Sequence, residues 1–173
     1  EPHEFCCLSE LYPANHETLE DFQRSMKHAY MYAKSVTLMP SIWPETNEVI
    51  IRNRRIGVSM TGIAEFIETR DWNTMKEWMD NGYGYIVELD KVYSGWLGVR
   101  ESIKVTTVKP AGSTSLIAGT SAGVHWPTTS GWFLRRQRFL RTDPIVTLLI
   151  SAGYHVEPDV MDPDMTVVAE FPT

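Results

Sequence analysis

The residues best suited to chemistry form a cluster of small and hydroxyl-bearing side chains in the middle of the chain. They are Ala111, Gly112, Ser113, Thr114 and Ser115. A β-branched run, residues 105–108, predicts a strand that ends at Lys109-Pro110, because proline has no N–H to donate to a ladder. Ser113 or Thr114 can cap a short helix through residues 116–118. The N–H groups at the start of such a helix, helped by the hydroxyls, make this loop a candidate phosphate site.

A second interpretation of the same loop is a tight turn between a strand and a helix that binds nothing. The stretch from Val105 to His125 matches neither the Walker pattern GxxxxGK[ST] nor the dinucleotide fingerprint GxGxxG. Residue types alone therefore leave both interpretations open.

The two cysteines of the chain, Cys6 and Cys7, are adjacent. A disulfide between neighbours is strained and closes no useful loop, so the pair does not indicate the disulfide framework of a small secreted protein. We expect either buried apolar side chains or reactive thiols at these two positions.

Another candidate group lies near the C-terminus, where His155, Glu157 and Asp159 alternate along the chain. Histidine and carboxylate side chains ligate metal ions, so this alternation could be drawn as a metal site. Two nearby prolines and the lack of a second histidine in this stretch favour a solvated acidic loop instead.

Composition limits the classes of protein to which the chain can belong. Its 173 residues, 43% hydrophobic and 22% charged, are typical of a globular domain of cytosolic type with a real core. A net charge of −6 argues against binding nucleic acid through a broad basic face, so a phosphate-bearing partner must be met locally. The sequence contains neither a membrane-length apolar run nor a signal peptide. Its start at Glu1-Pro2 suggests a piece of a longer protein.

The hydrophobic pattern predicts the elements that must position the candidate residues. Before the loop these are a strand at 5–8, a helix from an Asn15 cap to Val36, a connector at 38–46, a strand at 56–62, a helix at 63–68 and helical segments between Asp71 and Gly98, interrupted at Asn81–Gly84. After it come a connector at 119–129, a strand at 133–140, a helix from Asp143-Pro144 to Gly153 and a strand at 166–171. This alternation indicates an α/β architecture with largely parallel strands. Ligands bind such sheets at the carboxyl ends of the strands, where residues 111–115 should lie.

Two glycines in this pattern, Gly57 and Gly62, permit close approach of another group to the backbone. The approach serves either a substrate or tight packing, and packing is the favoured interpretation.

Several segments carry a specific resemblance. They are NRRIGVSMTGIAEF at 53–66, WLGV followed by ESIKV at 96–105, TTVKPAGSTSLIAGTSAGVH at 106–125, FLRRQRF at 133–139 and AGYHVEPDVMDPDMTVVAEFP at 152–172. In this order they closely resemble the adenosylcobalamin-dependent (class II) ribonucleotide reductases, and most of all the monomeric ribonucleoside-triphosphate reductase branch. The resemblance covers essentially the whole chain.

The resemblance implies a fold. The catalytic domain of this family is a ten-stranded α/β barrel of two parallel halves set antiparallel, with a finger loop that carries a radical cysteine through its centre. Residues 1–173 would be a partial catalytic barrel domain, its second half, starting just after the radical-cysteine loop. The Asn-x-Cys-x-Glu motif of that loop is not in this sequence, so the chain alone is expected to be inactive.

The resemblance also implies roles for particular residues. Ala111, Gly112, Ser113, Thr114 and Ser115 match the substrate-phosphate loop, usually written KPSG and a hydroxyl residue, with Ala111 in place of the serine. Cys6 matches a cysteine that reduces the substrate together with a partner from the first half of the barrel. Cys7 falls where relatives often have Asn and is interpreted as structural. A strained Cys6-Cys7 disulfide as the reductant is the alternative.

The implied cofactor of the complete enzyme is adenosylcobalamin. Its implied partners are a ribonucleoside triphosphate, the missing first half of the barrel and a thioredoxin-type reductant. The expected location is the cytoplasm. Neither membrane binding nor direct binding of nucleic acid is expected. Arg136 and Arg138 either add charge near the phosphates or cofactor, or pair with acids on neighbouring strands. Two other functions stay open: a non-catalytic phosphate- or nucleotide-binding α/β module, and a structural remnant whose open sheet edges need a partner chain.

Overall fold

The computed structural model describes residues 1–5, 7–109, 111–126 and 133–172, and the chain falls into two compact units, residues 1–126 and 127–173. The elements of the first unit are β1 (Cys7–Leu11), a 3-10 turn (Pro13–Asn15), α1 (Leu19–Val36), α2 (Pro44–Asn53), β2 (Ile56–Met60), α3 (Ile63–Thr69), α4 (Trp72–Leu97) and α5 (Gly112–Ala118). Those of the second are β3 (Leu134–Leu140), α6 (Pro144–Ser151), β4 (Val156–Pro158) and β5 (Thr166–Pro172). Among the described residues, no helix combines the length and the apolar character needed to cross a membrane.

The first unit is built on a parallel pair of strands. Strands β1 and β2 pair in register from Cys7 with Ile56 to Leu11 with Met60. The chain before α5 runs along the other edge of β2, where the Val58 N–H donates to the Val105 carbonyl at 3.0 Å. Its pairing is a single parallel bridge between Val58 and Thr106. The strand predicted at 105–108 is therefore an extended segment with ladder hydrogen bonds only around Thr106.

Helices α1 and α4 cover one face of this sheet. Phe22 of α1 stacks on Trp78 of α4 with ring centroids 5.3 Å apart, and Phe66 of α3 packs on the same Trp78 ring at 4.9 Å. The alternate residues of the strands, Ile56 and Val58 among them, complete this core. Buried aromatic rings in contact of this kind contribute strongly to the stability of a core.

Helix α4 is continuous over 26 residues, so the predicted interruption at Asn81–Gly84 is wrong. Gly82 is buried inside the helix, and a Cβ atom there would lie 2.7 Å from Met26 Cε of α1. The glycine therefore lets two packed helices approach closely and does not mark a turn.

Two helix starts also differ from the prediction. Helix α1 is capped by Thr18, whose hydroxyl accepts from the Asp21 N–H at 3.2 Å, and Asn15 belongs to the preceding 3-10 turn. Helix α2 occupies a region predicted to begin as a connector, because Pro44 stands in its first turn, where a missing N–H costs nothing.

The second unit is antiparallel, which corrects the expectation of largely parallel strands. Its sheet has the order β3-β5-β4, and β5 runs antiparallel to both neighbours. A short loop joins β4 to β5, whereas a parallel pair needs a crossover of a dozen residues or more. The predicted α6 is confirmed, with Asp143 as its N-cap.

A buried ion pair joins α1, α4 and the chain that leads toward α5. Lys34 Nζ lies 2.9 Å from Asp90 Oδ1 and 2.9 Å from Ser102 Oγ, and the Ser102 N–H donates to Asp90 Oδ2 at 2.6 Å. The Tyr30 hydroxyl also donates to Asp90, at 3.0 Å. Burial lowers the pKa of Lys34. Burial alone would raise the pKa of Asp90, but the hydrogen bonds from Lys34 and Ser102 bring it below its ordinary value.

We predict that Asp90→Asn destabilises the chain by about 3 kcal/mol, because it leaves the Lys34 ammonium buried without a counter-charge. Urea denaturation at neutral pH followed by tryptophan fluorescence measures the change. The pKa of Asp90 is lowered on folding, so its carboxylate stabilises the fold above the unfolded pKa, and this contribution disappears as the pH falls through the folded pKa. The difference between wild type and variant should therefore shrink in acid.

The matched control is Glu88→Gln in the same helix. Glu88 pairs with Lys91 at 2.7 Å, and both side chains are exposed. The expected loss is below about 1 kcal/mol. Equal losses for the two substitutions would contradict a special role for the buried pair.

Candidate functional site

The predicted phosphate loop is the N-terminal end of α5. Ala111 is the N-cap residue, and Ser113 and Thr114 lie within the first turn, so neither is the cap. The expected short helix is confirmed, but it starts earlier, at Gly112. Pro110 lies outside the described residues.

The side chains of this turn differ in what they offer a ligand. Ala111 is 3% exposed and Ser115 1% exposed, and the Ser115 hydroxyl donates to the Gly112 carbonyl at 3.1 Å. Gly112 and Ser113 are exposed, and a Cβ atom at Gly112 would meet nothing within 4 Å. A ligand arriving from solvent therefore meets the backbone of Gly112 and Ser113 first, where the first N–H groups of a helix have no partner within it.

Helix α5 lies at the carboxyl ends of β1 and β2, as expected for a ligand loop. The Tyr12 hydroxyl, just after β1, donates to the Thr114 carbonyl at 3.3 Å. Asn15 Nδ2 donates to the Ala118 carbonyl at 3.0 Å. Just before α5, Lys109 Nζ lies 2.8 Å from Glu10 Oε2 of β1.

The segment after α5 packs on the end of β2. Gly62 has φ +77°, its N–H donates to the Gly123 carbonyl at 3.1 Å, and a Cβ atom there would lie 3.0 Å from Thr120 Cβ. At Gly57 a Cβ atom would lie 2.6 Å from Thr107 Cγ2. Both glycines admit neighbouring side chains of the same chain, which supports the packing interpretation.

The two cysteines have different outcomes. Cys6 lies outside the described residues, so its predicted redox role stays a prediction. Cys7 is 3% exposed in the core of the first unit, in agreement with a structural role.

Arg136 and Arg138 pair with acids of neighbouring elements, one of the two alternatives left open for them. Arg136 contacts Glu157 of β4, and its Nε lies 3.4 Å from Glu170 Oε1 of β5. Arg138 contacts Asp159, with one hydrogen bond of 3.3 Å. These guanidinium groups already have counter-charges within their own unit.

The structure does not bring His155, Glu157 and Asp159 together as a metal site. The described residues place Glu170 beside His155 and Glu157, with one possible ligand atom of each within 4.8 Å of the others. Arg136 contacts both Glu157 and Glu170, so a guanidinium takes the position a cation would need. Asp159 instead receives the Met161 N–H and faces Arg138. The alternative of a solvated acidic loop is also wrong at two of these positions, because Glu157 lies on β4 and Asp159 is only 4% exposed.

Glu10, Tyr12 and Asn15 contact the α5 region, which their residue types and spacing do not predict. The alternation of side chains along β1 gives a partial indication. It places Leu8, Glu10 and Tyr12 on the face opposite the core residues Cys7 and Leu11, where they can contact another segment. Which distant segment they meet depends on the fold, and no spacing in the sequence shows it.

The chain matches no protein-family model. It is 50% identical over 169 residues to an adenosylcobalamin-dependent ribonucleoside-triphosphate reductase of Euglena gracilis, covering 98% of this chain and 23% of that protein. A reductase of the same name from Lactobacillus gasseri is 37% identical over 177 residues, covering 88% of this chain and 24% of that protein.

A structural comparison agrees. A crystal structure of a B12-dependent (class II) ribonucleotide reductase superposes with a TM-score of 0.86 and 33% identity, covering 98% of this chain and 27% of that one. The fold is therefore an α/β fold similar to part of a class II ribonucleotide reductase. The chain is homologous, over essentially its whole length, to a segment of the adenosylcobalamin-dependent ribonucleoside-triphosphate reductases, which confirms the resemblance. It spans about a quarter of the length of these relatives.

We predict that Gly62→Ala destabilises the first unit by about 1–2 kcal/mol, because a side chain is strained at positive φ and the new methyl group also crowds Thr120. Thermal unfolding followed by circular dichroism measures the change.

Gly84→Ala is the control. Gly84 lies inside α4 with nothing within 4 Å of a Cβ atom, so alanine should stabilise the helix by about 0.5–1 kcal/mol. A Gly62→Ala protein as stable as wild type would contradict the tight contact between Gly62 and Thr120.

Proposed function

We propose that this chain supplies the substrate-phosphate loop and one redox cysteine of an adenosylcobalamin-dependent ribonucleoside-triphosphate reductase, an enzyme that makes deoxyribonucleotides for DNA synthesis. One observation carries the proposal. The exposed first turn of α5, at Gly112 and Ser113, stands at the carboxyl ends of parallel strands, in a chain homologous to these reductases.

The backbone does most of the phosphate binding in this proposal. The N–H groups of Gly112, Ser113 and Thr114 begin α5, and the positive end of a helix dipole favours an anion there. The serine of the family loop is replaced by the buried Ala111. This replacement should reduce the affinity for phosphate only slightly, because N–H groups make the contacts in this proposal. The Ser113 hydroxyl is an added donor, whereas the buried Ser115 hydroxyl stabilises the turn.

The sheet of the first unit supports a barrel half. Strands β1, β2 and the segment around Thr106 all run parallel. We propose that the parallel strands of the first unit belong to the second half of a ten-stranded catalytic barrel, and that the rest of the enzyme supplies the first half with the radical-cysteine loop. On this proposal the chain alone does not reduce nucleotides.

Cys6 is proposed as one of two thiols that reduce the substrate. Loss of the 2′-hydroxyl as water leaves a substrate radical that needs two electrons. Two thiols supply them by becoming a disulfide, and in the net reaction their two hydrogens end at C2′ of the sugar and in the departing water, whereas a single thiol cannot supply both electrons. The partner thiol belongs to the first half, and a thioredoxin-type reductant in the cytoplasm would restore the pair.

Adenosylcobalamin, when bound to the complete enzyme, supplies the radical that starts the reaction. We assign it no contact residue in this chain, whose proposed part is to hold the substrate and donate reducing equivalents.

We predict that Gly112→Asp abolishes binding of a ribonucleoside triphosphate to the chain, because it places a negative charge where the phosphates bind. The same charge near a helix N-terminus should raise stability slightly, by about 0.3–1 kcal/mol, so lost binding cannot be ascribed to unfolding. Isothermal titration calorimetry measures the affinity.

The control is Gly84→Asp, which adds the same charge at an exposed helical glycine of α4. It should bind as wild type does. Unchanged binding by Gly112→Asp would refute the phosphate loop, and a wild-type chain that binds no triphosphate would favour a structural remnant.

We predict that Cys6→Ser removes reduction that depends on protein thiols. The test replaces the matching segment of the Euglena gracilis reductase with this chain, which is 50% identical to it, and assays deoxynucleotide formation with adenosylcobalamin and a dithiol. Turnover should fall by at least about 1,000-fold, because one thiol supplies only one of the two electrons.

Cys7→Ser in the same chimera is the matched control and should keep its turnover if it folds, since Cys7 belongs to the core. If Cys7→Ser abolishes turnover in a folded chimera, the Cys6-Cys7 disulfide becomes the better account. An active Cys6→Ser chimera would remove Cys6 from the reaction.

A further inference from the structure

Three side-chain contacts join β1 and the turn after it to the α5 region. Glu10 meets Lys109 before the helix, Tyr12 meets Thr114 in its first turn, and Asn15 meets its last residue, Ala118. The contacts follow the same order along both segments, so the two run alongside each other from the start of α5 to its end.

The contact at the first turn involves a backbone group of the proposed phosphate loop itself. The Tyr12 hydroxyl donates to the Thr114 carbonyl at 3.3 Å. That carbonyl belongs to a residue whose N–H is one of the proposed phosphate donors, so the bond fixes the orientation of the first turn. The Thr114 hydroxyl is buried and has no hydrogen-bond partner among the described residues, so it does not help to hold the turn. The hydrogen bond from Tyr12 to the Thr114 carbonyl does.

The contact before the helix fixes the chain that enters it. The Glu10 side chain is 6% exposed, and its carboxylate lies 2.8 Å from Lys109 Nζ. The Lys109 N–H donates to Ser59 Oγ at 3.3 Å, and Ser59 is the register partner of Glu10 on β2. Removing Lys109 would leave the nearly buried Glu10 carboxylate without its counter-charge, which is strongly unfavourable.

Asn15 acts at the other end of α5. Its Nδ2 donates to the Ala118 carbonyl at 3.0 Å, one of the last carbonyls of the helix, which have no partner within it. With seven residues, α5 is too short to be stable by itself and depends on such contacts for its orientation.

We infer that Tyr12 and Asn15, with Glu10 acting through Lys109, are positioning residues for the substrate phosphates. They orient α5 so that its first N–H groups converge on the anion. This inference rests on the proposed phosphate loop.

The test is binding of inorganic tripolyphosphate to the intact 173-residue chain by isothermal titration calorimetry. Tyr12→Phe, which removes only the hydroxyl, should raise Kd about fivefold, the effect of one neutral hydrogen bond. Asn15→Ala should also weaken binding, and Asn15→Gln, which keeps the amide donor, should recover part of the loss. Tyr83→Phe, at an exposed tyrosine of α4, is the matched control and should bind as wild type does.

Amide hydrogen exchange distinguishes positioning from a general loss of stability. Exchange should accelerate in α5 and stay unchanged in α1 and α4 for both Tyr12→Phe and Asn15→Ala. If wild type binds tripolyphosphate and both variants bind equally well, the positioning role is refuted while the proposed phosphate loop stands. If weaker binding accompanies faster exchange throughout the unit, the residues are structural and the inference fails. If wild type does not bind, the phosphate loop and the inference fail together.

Discussion

The buried ion pair between Lys34 and Asp90 is the constraint on which the first unit depends. It joins α1 to α4, and through Ser102 it also fixes the chain that leaves α4 and returns beside β2. Lys34 donates in addition to the Arg100 carbonyl at 3.3 Å, so the same ammonium satisfies a loop backbone group. Buried charges are tolerated only when every lone pair and proton is matched, and this network approaches that state. The network fixes the chain at Arg100 and Ser102, and backbone hydrogen bonds with α2 and β2 then guide residues 103–107 toward α5.

The two ends of this path are held by different kinds of interaction. At the start, a charged network buried among helices fixes the loop. At its end, hydrogen bonds from Tyr12 and Asn15 hold a short helix whose first turn faces solvent. The arrangement gives a rigid support with an exposed backbone at Gly112 and Ser113, which suits a site that binds by N–H groups. The net charge of −6 makes such local contacts more important for any anionic ligand, because the chain as a whole has no net positive charge to attract it.

The sequence predicted those features that follow from local chemistry. The end of α1 at Val36, the start of α3 at Ile63 and the Asp143 cap of α6 are confirmed, because amphipathic periodicity and capping act over a few residues. The prediction failed where tertiary packing decides. Gly82 predicts a break in the helix, but in the structure it only allows Met26 to pack closely against a continuous helix. Pro44 predicts a connector, but it is the first residue of a helix.

The candidate site divides in the same way. Residues 111–115 were identified from composition and resemblance, because a strand followed by small residues and a helix start is a local pattern. Their contacts with Tyr12 and Asn15 join positions about a hundred residues apart, and nothing in the spacing of the sequence could reveal them. The antiparallel sheet of the second unit was missed for a related reason, since strand direction depends on how the chain returns.

The proposed phosphate site is the backbone of the first turn of α5. An NMR titration of the ¹⁵N-labelled chain with inorganic tripolyphosphate tests it most directly, because each amide reports its own environment. Binding at this turn should give saturable shifts that are largest for the amides of Gly112, Ser113 and Thr114, with smaller shifts at their neighbours. Absence of shifts at these amides, or shifts confined to the arginine-rich strand β3, would contradict it.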